Sequence, residues 1–202
     1  RSSYCLPLCF TPCVKRIYMK DSNTDEIQTL DSKVVYQNRW MTVREDTIGR
    51  DDGYRGIYGV VDKPDFVVVI AIDGDDVYLV EQYRYPVKGR HLEFPQGAKE
   101  GAETFDALSV AKAELREECG LLAADWQYVG EQFLAYGMCS QRYHIFVART
   151  LTKTAQELEE EEQGLTVHKL PLAEVKARIV NGEMMDSTTC NAFGLATLKG
   201  YL

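Results

Sequence analysis

Residues 66–72, FVVVIAI, are apolar on both alternating sets of side chains, and nothing else in the chain restricts the fold as sharply. Successive side chains of an extended strand point to opposite faces, so a strand that is apolar throughout has to be covered on both. The segment predicts a central strand with a layer of structure on either side. Asp73 and Gly74 follow and supply a tight turn into a second strand over residues 77–82, making a hairpin. Upstream, residues 33–37, 41–46 and 57–62 alternate with period two between polar turns, as an antiparallel meander does. Downstream, strands are expected at 127–135, 142–149 and 165–170, with helices at 104–119, near 173–180 and at 187–198. The expected class is α/β, in the sense of an α+β arrangement on a mixed sheet.

At 202 residues the chain can bury a sizeable core without disulfides or a structural metal. Its 31 acidic against 23 basic side chains give a formal net charge of -8, which disfavours nucleic acid or anionic lipid as a partner. A phosphate compound bound by such a chain needs a compensating cation. No apolar run reaches the roughly 20 residues that cross a bilayer, so no membrane partner is expected. The six cysteines form no CxxC pair, and Cys5, Cys9 and Cys13 have no further ligand nearby in sequence to complete a tetrahedral zinc site. Such usage fits a reducing compartment, and a cytoplasmic location is expected. Residues 1–18 lack periodicity and a long apolar stretch, whereas Met19 opens a polar start. We read 1–18 as an upstream or artificially added extension, 19–65 as an N-terminal β extension and 66–202 as the main domain.

Chemistry concentrates on the middle helix. At about 100° per residue, Glu114, Glu117 and Glu118 fall on one ridge beside an apolar stripe of Leu108, Ala111 and Leu115. Gly120 stands where a left-handed cap ends the helix. Like charges so close destabilise one another unless something positive sits among them, and carboxylate oxygens suit a hard divalent ion such as Mg2+. A solvated acidic face is the plainer alternative. The turn Phe94-Pro95-Gln96-Gly97 ahead of the helix and the capped exit behind it favour the metal.

Residues 97–121, GAKEGAETFDALSVAKAELREECGL, resemble the Nudix box: a glycine, a glutamate six positions on, then Arg-Glu-apolar-x-Glu-Glu-x-Gly-apolar. Gly97 and Glu103 match its opening; Glu114, Leu115, Glu117, Glu118, Gly120 and Leu121 match its close. Two departures stand out. The interval after Glu103 is two residues longer, and Ala113 replaces the arginine expected before Glu114, with Lys112 one position earlier. Over about residues 30–198, through VYLVEQYRYP, LEFPQG, LAYGMCSQRYHIFVA and NGEMMDSTTCNAFGLATL, the chain is similar to the Nudix branch typified by ADP-ribose pyrophosphatase.

The resemblance implies an α/β/α sandwich with an N-terminal antiparallel strand extension, and a homodimer that exchanges N-terminal strands. It also implies hydrolysis, with Mg2+ as cofactor or Mn2+ in its place, of the diphosphate in a nucleoside diphosphate-sugar. ADP-ribose, split to AMP and ribose 5-phosphate, is the expected substrate. A GDP- or UDP-sugar, or a catalytically weak sensor that binds ADP-ribose, are the alternatives. By the same likeness Glu114, Glu117 and Glu118 are expected metal ligands together with a backbone carbonyl at Gly97, and Glu117 is also expected to be catalytic. Arg84 matches a phosphate-contacting position and Glu93 a site glutamate, although Glu93 could equally serve to pair Arg84. The general base is expected on the acidic loop 157–163, where Glu160, Glu161 and Glu162 are candidates and Gln163 is the best positional counterpart. Glu161 and Glu162 are preferred. Gln141 falls where many relatives carry glutamate, and His91, His144 and His168 read as strand residues.

Overall fold

The computed structural model describes residues 26–98, 105–158 and 160–202. The supposed extension 1–18, Met19 and Glu103 lie outside the described residues, as does the side chain of Glu161. Strands β1 (Gln28–Gln37), β2 (Thr42–Gly49) and β3 (Arg55–Asp62) form an antiparallel three-stranded sheet in that order, the meander that the alternation predicts. The other strands are β4 (Phe66–Asp73), β5 (Asp76–Arg84), β6 (Gly89–Glu93), β7 (Gln96–Gly97), β8 (Leu121–Phe133), β9 (Arg142–Lys153) and β10 (Thr166–Pro171). Among the described residues they make one seven-stranded sheet of order β10-β5-β4-β9-β8, with β6 beside β5 and β7 beside β4. Parallel pairing of β4 with β9 makes it mixed.

β4 is the strand that the apolar run requires. Val67, Val69 and Ala71 pack against Val110, Ala111 and Leu115 of helix α1 (Ala107–Cys119). On the opposite face Phe66, Val68 and Ile70 join Val175 of α2 (Leu172–Val180) and Ala192 and Ala196 of α3 (Ser187–Leu198). The Val, Ile, Leu and Phe side chains among these each contribute about 1.5–3 kcal/mol on burial, so both helical layers are held through this strand. The result is an α/β/α sandwich. Asp73 faces Asp76 across the β4–β5 hairpin, and Gly74 takes the left-handed φ of 66° that the two-residue turn needs.

Two local features aim α1. Its last turn closes on Gly120, whose φ is 61° and whose N–H donates to the Arg116 carbonyl at 2.9 Å. The strand β8 then leaves at Leu121, six residues before the start expected from the sequence. Residues 121–126, LLAADW, carry little β preference of their own; pairing with β9 overrides it. β1 likewise begins at Gln28, ahead of the apolar alternation, because its polar first half is paired by β2. The short strands β6 and β7 carry no alternation from which to predict them.

The first sheet is fastened to the segment between β8 and β9. Val61 N–H donates to the Met138 carbonyl at 2.8 Å, Tyr58 Oη–H to the Gly137 carbonyl at 2.7 Å, and Ser140 Oγ–H to Asp62 Oδ1 at 3.0 Å. Along β1, Leu30, Val34, Val35 and Tyr36 remain exposed. No helix among the described residues is long and apolar enough to cross a membrane.

Candidate functional site

Helix α1 turns Glu114 and Glu118, one turn apart, toward β7. The 3-10 turn Glu160–Glu162 brings Glu162 to the same place. Glu114, Glu118 and Glu162 each offer a carboxylate oxygen, and these oxygens all lie within 4.8 Å of one another. Gly97 completes the packing, because a Cβ on it would stand 2.4 Å from Glu114 Oε2. Glu118 is only 1% exposed. Burial pushes its carboxyl well above the ordinary carboxylate range, and Glu114, Glu162 and Glu93 push the same way. One donor opposes them: the Gln96 N–H reaches Glu118 Oε2 at 3.0 Å. Hard oxygen donors converging from a helix and a loop, with one of them costly to ionise alone, fit a divalent cation, which favours the charged form of all three.

Beside this group lies a polar network built on Glu93, 2% exposed at the end of β6. Glu93 accepts hydrogen bonds from Arg84 Nη2 at 2.5 Å and Nε at 3.2 Å, from Gln82 Nε2 at 2.7 Å and from Gln96 Nε2 at 3.0 Å. Burial raises its pKa even so, with Arg84 opposing and Asp186 reinforcing the shift. Gln96 Nε2 also reaches Asp186 Oδ2 at 3.4 Å, and that same oxygen caps α3 by accepting from the Thr189 N–H at 2.8 Å. Gln96 therefore touches the carboxylate group through its main chain and the Arg84–Glu93 pair through its side chain.

Each assembly reaches a cleft of about 820 Å³ through residues on its lining, the carboxylate group through Gln96 and Gly97 and the Glu93 network through Arg84 and Gln96. Arg84, Gln96, Gly97 and Thr188 stand on its lining, together with the apolar bodies of Trp40, Phe66 and Tyr85. Trp40 comes from the link between β1 and β2, so the first sheet shares in the wall. Gln141 is buried on the same lining and donates through Nε2 to the Pro64 carbonyl at 2.6 Å. The side-chain oxygens of Gln96 and Gln141 are both buried without a hydrogen-bond partner.

Of the residues expected from the sequence, the structure brings together Glu114, Glu118, Glu162 and Gly97, and it places Arg84 against Glu93. It does not bring the Glu117 carboxylate into the group. Arg116 Nη2 holds Glu117 Oε1 at 2.9 Å and reaches Glu157 Oε2 at 3.3 Å. The cation beside this glutamate is thus Arg116, whereas Lys112 is exposed on the helix. Glu160 is exposed in its turn. His144 meets Tyr128 Oη at 3.2 Å and His168 meets Thr166 Oγ1 at 3.1 Å, both on strands away from the carboxylates. Sequence reasoning missed Gln96, Asp186 and Trp40 as site residues. The first two lie inside quoted motifs, but they meet one another only across 90 positions.

Residues 62–187 match the NUDIX domain family, and residues 27–61 match the family described as the nucleoside diphosphate sugar hydrolase N-terminal domain. An ADP-ribose pyrophosphatase of Mycobacterium tuberculosis is 28% identical over 164 residues, 80% of this chain and 79% of that protein. A methanol dehydrogenase activator of Bacillus methanolicus is 28% identical over 88% of this chain and 96% of its own length. The crystal structure of an ADP compounds hydrolase superposes with a TM-score of 0.76 at 22% identity, covering 90% of this chain and 100% of that one, and so shares the fold.

Proposed function

The chain belongs to the NUDIX family, and from that premise we propose that it hydrolyses the internal diphosphate of a nucleoside diphosphate-sugar, with ADP-ribose giving AMP and ribose 5-phosphate. The observation that carries this reading is the meeting of Glu114, Glu118 and Glu162 behind Gln96 and Gly97, which line a cleft that also holds Arg84. The match of residues 27–61 and the names of the relatives support a sugar-linked diphosphate over a nucleoside triphosphate.

Glu114 and Glu118, with a backbone carbonyl at Gly97, would hold Mg2+, for which Mn2+ can substitute, and Glu162 stands beside them. A cation bound there neutralises the diphosphate and polarises its P–O bonds. The chain's own groups do the rest. Arg84 presents a forked guanidinium to phosphate oxygens, and Glu93 fixes that fork from behind. Glu162, carried by a short turn instead of the helix, takes the proton of the attacking water as the new P–O bond forms and the bridging bond breaks. Trp40 and Tyr85 give the cleft aromatic surface suited to a base. Glu117 stays paired with Arg116, which also reaches Glu157. The exposed apolar residues of β1 support a homodimer that covers them.

The test is a panel of ADP-ribose, GDP-mannose, UDP-glucose and ATP with Mg2+, Mn2+ or excess chelator. Cleavage of ADP-ribose to AMP and ribose 5-phosphate, abolished by chelator and absent with ATP, is expected. Turnover that persists in chelator would overturn the site, and a faster GDP- or UDP-sugar would move the substrate within the same class.

A further inference from the structure

Gln96 makes every contact its amide nitrogen can make and none with its oxygen. Nε2 donates to Glu93 Oε2 at 3.0 Å and to Asp186 Oδ2 at 3.4 Å, while Oε1 is buried without a partner. The direction of the amide is set by those neighbours, since the opposite orientation would turn an oxygen against two carboxylates. A buried acceptor left unpaired is costly, and because the residue lies on the lining of the cleft, a small turn of the side chain would open Oε1 to a donor there.

The position of Gln96 narrows what that donor is. Its N–H is on Glu118 and its side chain is on the carboxylate that grips Arg84, so it sits between the two groups assigned to the diphosphate. An internal diphosphate esterified at both ends is all acceptor at neutral pH. The nearest donors on such a ligand are the hydroxyls of the sugars it joins. Resting on the functional reading above, we propose that Gln96 is a specificity-determining residue whose Oε1 accepts a hydrogen bond from a sugar hydroxyl flanking the diphosphate. A ligand lacking that hydroxyl leaves the oxygen orphaned in the complex, and a site built in this way discriminates strongly against such analogues.

The experiment compares kcat/KM for three compounds: ADP-ribose, ADP carrying an ethyl ester in place of the distal ribose, and ADP-ribose lacking the 2′ and 3′ hydroxyls of the adenosine. Wild type is set beside Gln96→Met, which removes donor and acceptor, and Gln96→Lys, which can still donate to Glu93 and Asp186 but cannot accept. Wild type is expected to favour ADP-ribose over one of the two analogues, and that preference should fall by about 10- to 100-fold in both variants, whatever happens to the absolute rates. The analogue concerned identifies which sugar is read. A wild type without preference overturns the inference, as does an unchanged preference in either variant that melts like the wild type, since Gln96 would then act only by holding Glu93 and Asp186 together. Cleavage of none of the compounds by wild type refutes the functional reading itself, a result distinct from both.

Discussion

The carboxylate of Glu114 occupies the space that a side chain on Gly97 would need. The glycine that opens the motif is thus explained by close approach, because its backbone is not in the left-handed region. Gly97→Ala pushes against the far end of a flexible side chain, so the fold is expected to survive with its melting temperature within a few degrees. The carboxylate must move instead. Displacements near 1 Å in a reacting site cost up to about 100-fold, and a drop in kcat of at least ~10-fold is expected from steady-state kinetics. Unchanged kcat would show that Glu114 has no fixed role.

Glu118→Gln removes one charge from a crowded buried set while keeping its shape. In excess chelator the variant should melt at or above the wild-type temperature, because its like-charged neighbours no longer oppose it. Its turnover with Mg2+ should fall by ~100-fold or more. Differential scanning fluorimetry and a product assay on the same preparation read both halves. A variant that is less stable in chelator and fully active would contradict the site.

Glu162 and Glu117 separate two readings of the acidic residues. Glu162 belongs to the converging group, whereas Glu117 is paired with Arg116. Glu162→Gln should lower kcat by about 100-fold, and Glu117→Gln by clearly less. The reverse order, measured at saturating substrate and metal, would mean that Glu117 leaves Arg116 to act.

At Gly120 the objection to a side chain is double. Its φ of 61° disfavours any L-residue, and a Cβ would stand 2.9 Å from the Thr154 carbonyl oxygen. Gly120→Ala is expected to cost roughly 1–3 kcal/mol in urea unfolding, through strain at the exit of α1. A change below about 0.5 kcal/mol would show that the α1–β8 junction yields easily.

Assembly is tested on β1. Leu30, Val34, Val35 and Tyr36 are exposed on a strand with no second layer among the described residues. Light scattering at micromolar concentration should give twice the chain mass, and Val35→Glu should shift it toward one. A stable single-chain mass for the unaltered protein would remove the dimer from the proposal.

The sequence announces most of the architecture because the strongest signals are local. A strand apolar on both faces can only be central, and Gly120 can only end a helix that bears Leu115 on its buried side. The ridge of glutamates is equally visible, but its membership is not. Periodicity places Glu117 with Glu114 and Glu118, and only the return of the chain at Glu157 shows Arg116 drawing it aside. Four consecutive glutamates at 159–162 are interchangeable on paper, and of the two whose side chains are described, the 3-10 turn places Glu162 in the group and leaves Glu160 exposed. Gln96 looks like an ordinary turn residue until Asp186 arrives beside it. Contacts between distant segments carry no periodic mark, which is why the polar network behind Arg84 had to be seen to be known.

The fastening of Tyr58, Val61 and Asp62 to the segment that ends at Gln141 has a consequence for modularity. The first sheet is not an interchangeable attachment, although it matches a family of its own. Replacing it with the corresponding piece of a relative would sever bonds to partners 78 and 79 positions away and leave the Gln141 wall of the cleft unbraced. Recombination that respects only sequence boundaries would therefore cut through the ligand cleft. The two segments must travel together, in evolution as in any chimera, if the shape that receives a ligand is to be inherited intact.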